Sequence, residues 1–146
     1  MPISLRTPKS EIDDYIVKCT KRMTQAIIYN LKVIGEKVTT RARITAEKGR
    51  DFTDQTGNLR SSIGYVITVD GKVVMESSFN AVKNGGEGAE EGRLFAHRLA
   101  QQVPKGFCLI VVAGMNYAKY VAARGFDVLD SAELLAEKLT HQLSSK

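Results

Sequence analysis

Two histidines, two cysteines and scattered serines and carboxylates are the residues of this 146-residue chain whose types suit catalysis or metal binding. A catalytic zinc site takes three protein ligands, commonly with two at helical spacing. His97 stands near Glu90 and Glu91, His141 stands far along the chain, and no His-x-x-x-His or His-Glu pair occurs. Surface or partly packed histidines are the expectation. Cys19 and Cys108 are too far apart in sequence for a zinc motif. Each lies in an apolar setting that suits a small core hydrophobe better than an activated thiolate. Ser61 and Ser62 follow Arg60 without a Gly-x-Ser-x-Gly or triad pattern. Gly85-Gly86-Glu87-Gly88 has the glycines of a phosphate cradle, but no Lys-Ser/Thr pair follows and the neighbouring acids repel phosphate. The pairs Asp51/Asp54 and Asp127/Asp130 suit a divalent ion or, more simply, a turn and a helix cap. The expectation is a chain that is not an enzyme, with no cofactor, no metal and no small-molecule substrate.

Composition supports a folded chain rather than a disordered one, with 43% hydrophobic and 25% charged residues. Its length predicts one domain over residues 1–146. No apolar run nears the roughly 18 residues of a membrane span, and Met1–Arg6 lacks the apolar core of a signal peptide. One pair of cysteines makes no disulfide framework, so a soluble intracellular domain is expected. The net charge of +5 is uneven: the first 50 residues hold 11 Lys/Arg against 5 Asp/Glu. Its densest part is Lys37, Arg41, Arg43, Lys48 and Arg50, offset by Glu36 and Glu47. Such a cluster is either a phosphate or acidic-partner contact or, without interleaved aromatics, the solvated face of a helix.

That cluster ends a long periodic stretch. After an extended arm over residues 1–9, Ser10 with Asp13 resembles a capping box. Ile12, Ile16, Cys19, Met23, Ile27, Leu31, Ile34 and Val38 then recur at steps of three or four, one stripe of an α-helix that is continuous or kinked at Gly35. A helix from about residue 11 to 47 spans roughly 55 Å, whereas a compact domain of this size is about 38 Å across. Either the helix breaks or another chain covers the overhang. A second copy is the favoured cover, and Leu31, Ile34 and Val38 are candidate subunit contacts.

Beyond the polar, turn-rich residues 51–60, Ser61–Asp70 alternates as a strand. Asp70-Gly71 marks a hairpin turn, and Lys72–Phe79 is the return strand. Both strands carry apolar residues on both faces, predicting a larger sheet. Asn80–Gly92, with Gly85, Gly86, Gly88 and Gly92, is expected as a flexible loop, followed by a short helix over Arg93–Gln102. Phe107–Ala113 is nearly all apolar and predicts a central strand. A helical turn over 115–125, a short fourth strand over Phe126–Leu129 and a last helix opened by Asp130 and Glu133 complete the chain. The order predicts an α+β fold with a long N-terminal helix, an antiparallel sheet of three to four strands including a hairpin, a short middle helix and a C-terminal helix.

Two segments carry a resemblance. Thr56-Gly57-Asn58-Leu59-Arg60-Ser61-Ser62-Ile63 resembles the Thr-Gly-x-Leu-Arg-x-Ser-Ile signature of head-tail joining, neck or tail-completion proteins of long-tailed bacteriophages and prophages. Tyr117-Ala118-Lys119-Tyr120-Val121 resembles the Tyr-Ala-x-Tyr-Val segment of the same family, and the order of elements over residues 10–143 is similar. The chain departs from that pattern at Ala122-Ala123-Arg124-Gly125, where the family commonly has Glu-x-Gly, and at Val128–Ala132, where it often has Pro-Phe. The resemblance implies a non-enzymatic virion protein that forms a ring with copies of itself at the head-tail junction. Its other partners would be further neck and tail proteins, with no membrane involved. It would reside in the host cytoplasm before assembly and in the virion afterwards.

The residues themselves suggest further roles. Gly57 permits a backbone turn, Leu59 and Ile63 bury on one face, and Arg60 can reach a carboxylate on a neighbour. Tyr117 and Tyr120, three apart, share a helical face suited either to a subunit boundary or to core packing. The basic part of the helix would face acidic neighbours or, non-specifically, passing DNA. The alternative function is a basic nucleic-acid-binding module of bacterial or phage origin.

Overall fold

The computed structural model describes residues 6–48, 54–116, 118 and 128–145. The first helix, α1, runs Lys9–Lys48 without interruption for 40 residues, roughly 60 Å at ~1.5 Å per residue. It begins at Lys9, inside the expected arm and one residue before the expected cap. The Pro8 carbonyl accepts from the Glu11 and Ile12 amides, so a proline that cannot donate sits just ahead of the helix. Gly35 does not interrupt it. The Tyr65 ring lies over this glycine so closely that a Cβ would stand 2.9 Å from ring carbons, and the missing side chain is a packing requirement.

A single helical turn, α2 (Asn58–Ser61), leads into strand β1 (Ile63–Val69); β2 (Lys72–Glu76), α3 (Gly86–Ala100), β3 (Phe107–Ala113) and α4 (Asp130–Ser144) follow. The expected α+β class and order of elements are present. The described sheet is antiparallel in the order β2-β1-β3, with Ile63 opposite Ala113, Val69 opposite Phe107, and a register shift between Ile67 and Thr68 against β2. Among the described strands β1 is therefore the central one, and β3 lies at the side. Residues Ile63–Thr68 are all buried because helices cover both faces of the sheet, which is also why the strands lack a clean polar side.

Ile63, Tyr65 and Ile67 share one face by strand alternation, the face that α1 and α4 cover. There Ile34, Val38, Ala42 and Ala46 of α1 pack with Leu59, Val128 and Ala132. On the opposite face, Val66 and Val112 pack with Ala96 and Ala100 of α3. Tyr65 also donates from its hydroxyl to Glu36 Oε1 at 2.8 Å, tying β1 to α1. Burial, reinforced by that carboxylate, raises the Tyr65 phenol above its ordinary range.

The expected flexible loop over residues 80–92 is half helix, since α3 begins at Gly86. Its buried residues, Gly88, Gly92, Ala96 and Ala100, form one ridge at four-residue spacing, and the ridge is smooth enough to touch backbone. The expected return strand stops at Glu76, three residues early. At the start of α4, Leu129 occupies the cap position with no side-chain cap bond, so Asp130 and Glu133 sit within the first turn instead of forming a capping box. Of the expected helical turn over 115–125 only 115, 116 and 118 are described, with the Ala118 amide donating to the Met115 carbonyl, and of the fourth strand over 126–129 only Val128 and Leu129, which are bends.

One buried atom stands out. Thr68 Oγ1 has no hydrogen-bond partner among the described residues, although the residue is fully buried. Replacing both the hydroxyl and its desolvation penalty with a methyl of similar shape is favourable. Thr68→Val is therefore expected to raise stability by about 1 kcal/mol, read as a higher urea midpoint at unchanged slope; a lower midpoint would show that the hydroxyl has a partner.

Candidate interaction surface

The segment that carries the phage resemblance forms a knot of backbone and side-chain contacts. Gly57 adopts φ +79°, and a Cβ there would meet the Val82 carbonyl at 2.0 Å. Ser61 Oγ donates to the Gly57 carbonyl at 2.6 Å and accepts from the Val82 amide at 2.8 Å. Asn58 Oδ1 accepts from the Gly88 amide at 3.2 Å, serving one of the free amides at the start of α3. Asp54 Oδ2 accepts from the Arg60 amide at 3.0 Å and from Arg60 Nε at 3.3 Å. Arg60 also reaches Glu47 of α1 at 3.3 Å. These contacts fasten α1, α2 and the beginning of α3 to one another.

Arg60 is therefore not directed at a neighbouring subunit: both of its acids lie in its own chain, and its side chain is 11% exposed. Arg43 is likewise engaged, with Nη2 donating to the Ile63 carbonyl at 2.7 Å and to the Ser78 carbonyl at 3.4 Å. Burial lowers its pKa from the ordinary value, against an opposing pull from Glu36. Ile34 and Val38, expected as subunit contacts, are 6% and 2% exposed within one chain. They belong to its own core, because α4 and the sheet cover this part of α1. Leu31 is half-buried, while Lys37 and Arg41 are exposed. Lys48 ends α1. Arg50, Tyr117 and Tyr120 lie outside the described residues.

Sequence reasoning missed Asp54 as the anchor of Arg60 and Asn58 as the partner of α3. Asp54 stands six residues from Arg60 across an irregular stretch, so no regular element links them. Asn58 bonds thirty residues away, which no local pattern encodes.

The uncovered surface lies on the first half of α1. Helix α4 runs antiparallel to α1, with Ser131 Oγ 3.4 Å from Thr45 Oγ1 and Leu139 and Leu143 beside Ile34 and Asn30. It therefore ends beside Asn30, and Lys9–Tyr29 continues past it for about 30 Å. On this rod Tyr15 is 70%, Met23 66% and Tyr29 65% exposed, with Ile16 and Val17 more than half exposed. Tyr15, Ile16 and Met23 fall toward one side of the helix, and large apolar side chains exposed together mark association surfaces.

Titratable groups gather at one other place. Glu76, at the end of β2, takes a 2.5 Å bond with His97 Nε2 and a 3.5 Å contact from Arg93, both on α3. The His97 bond, aided by Arg93, holds the Glu76 carboxyl below its usual range. The cluster is exposed and pins the hairpin to α3. Among the described residues no group of three or more His, Cys, Asp or Glu could hold a metal ion. No described helix is long and apolar enough to cross a membrane. No protein family, curated protein or solved structure matches this chain.

Proposed function

We propose that this chain is a non-enzymatic structural protein of a long-tailed phage or prophage that assembles with copies of itself at the head-tail junction. The observation that carries the proposal is the rod: residues 9–29 of α1 project beyond the body with large apolar side chains in water, and no element among the described residues reaches them. Hydrophobic area is stabilising when removed from water, at ~25 cal/mol per Å², so a protein built this way gains by association. The phage resemblance of residues 56–63 supplies the setting, and their place in the fold gives those residue types a physical reason. The nucleic-acid alternative has less to draw on. Arg43 is held by backbone carbonyls, leaving Lys37 and Arg41 as the exposed side chains of the described part of the cluster.

Antibody labelling of phage particles released from the source strain tests the proposal. Gold at the boundary between head and tail is the expected result. Particles that lack the chain, or carry it elsewhere, overturn it.

A further inference from the structure

Two apolar surfaces of this molecule lack cover among the described residues, and one chain cannot bring them together. One is the rod, with Tyr15, Ile16, Met23 and Tyr29 exposed. The other is a groove of about 520 Å³ between α1, β3 and α4, walled by the partly exposed Leu31, Phe107, Leu109, Val111 and Ala136 over a floor in which Val38 and Ala132 are already buried. Leu31 and Val38 belong to the same uninterrupted helix as the rod, so the rod points away from the groove that its continuation lines.

We propose that the rod of one copy lies in this groove of the next, as a head-to-tail contact. The inference deepens the assembly reading above and rests on it for the identity of the occupant. Area agrees: the exposed parts of the four large rod side chains offer on the order of 500 Å², against about 800 Å² per partner in a standard interface. The half-buried Ile12, Cys19 and Ile27 lie on the same stripe and supply more.

Charge agrees as well. Lys18, Lys21 and Arg22 are exposed beside the stripe, and their spacing puts them on one helical side, with Glu11 and Asp14 on that side only nearer the tip. Glu133 lines the groove, and Asp130 and Glu137 lie three before and four after it on α4, all exposed. A basic row on the rod thus meets an acidic row on the groove's rim. Because the two surfaces differ, the contact is heterologous. Repetition closes a ring when the rotation between copies divides a full turn.

The chain contains two cysteines, and they fall on the two surfaces. Cys19 is on the rod, Cys108 lines the groove, and both are free and partly exposed. An equal mixture of unlabelled and isotope-labelled protein, at millimolar concentration, is treated with a short bismaleimide and digested for mass spectrometry. Mixed-isotope Cys19–Cys108 peptides, with a gel ladder extending past dimer, are expected. Met23→Glu should cut that yield about tenfold while leaving the thermal midpoint of the dilute, unassociated protein unchanged, since Met23 is 66% exposed in the lone chain. Cys19–Cys19 dimers alone, or no link between chains, overturn the proposal. Closed rings in micrographs without the Cys19–Cys108 link also overturn this contact but leave the head-tail assignment intact. The link in a protein that gold fails to place at the head-tail boundary sustains the contact and removes that assignment.

Discussion

Gly92→Ala is expected to destabilise the protein by about 3 kcal/mol, lowering the thermal midpoint by roughly 10 °C. A Cβ at this position would stand 2.3 Å from the Ser62 carbonyl oxygen and 2.7 Å from Ser62 Cα. Both atoms are backbone at the entry to the central strand, so no rotamer change relieves the clash. On the other side, the Cβ position of Gly114 is 2.4 Å from Gly92 Cα, so α3 cannot slide toward β3 to escape. The whole helix would have to lift, opening the core formed by Val66, Ala96, Ala100 and Val112. Gly86→Ala in the same helix is the control. Nothing lies within 4 Å of its Cβ position, so alanine there should raise stability by about 0.5 kcal/mol through lower unfolded-state entropy. Urea titration of the two variants distinguishes packing from propensity, and equal effects would show that α3 does not approach β1 this closely.

The same glycines explain where the sequence misleads. Gly85, Gly86, Gly88 and Gly92 beside Glu87, Glu90 and Glu91 resemble a mobile loop when judged by composition. Spacing carries the contrary signal: Gly88, Gly92, Ala96 and Ala100 recur every four residues, the row of a helix built to lie close to its neighbour. A low-propensity helix is stabilised here by tertiary contact, which composition does not report. At Gly35 the stripe alone left a continuous or a kinked helix open; the helix is uninterrupted, and the glycine is the seat of the Tyr65 ring.

Long-period signals were legible. The stripe from Ile12 to Val38 foretells α1, and its length against the size of the body foretells the overhang. Asp70 and Gly71 both take positive φ, as the hairpin signal requires. The strand order was less accessible. Phe107–Ala113 is the most apolar strand, yet it lies on an edge of the described sheet, because layers above and below bury a strand as effectively as neighbours beside it. The candidate surface divided along the same line. Periodicity identified the apolar stripe of α1, but which part of it α4 covers is a tertiary fact, so Ile34 and Val38 were assigned to a partner that their own chain replaces.

Arg60→Ala is expected to cost about 3–4 kcal/mol in the isolated chain, because it strands a buried carboxylate. The Asp54 side chain is 3% exposed, and without the guanidinium it retains the Leu59 and Arg60 amides as donors but loses its compensating charge. Glu47 is a lesser partner: it is largely exposed, and Glu47→Gln should cost less than ~1 kcal/mol. Asp54→Asn keeps an acceptor oxygen for one of the two amides and removes the charge, so the double variant Asp54→Asn/Arg60→Ala should cost less than the two single costs together, by about 1–2 kcal/mol. Denaturation of dilute protein is the informative measurement, since association contributes little there. An arginine that served a neighbouring subunit would leave the dilute chain's stability unchanged and weaken only its assembly. An arginine that holds α2 to the end of α1 lowers stability in the lone chain, and the rod is then presented on a loosened base.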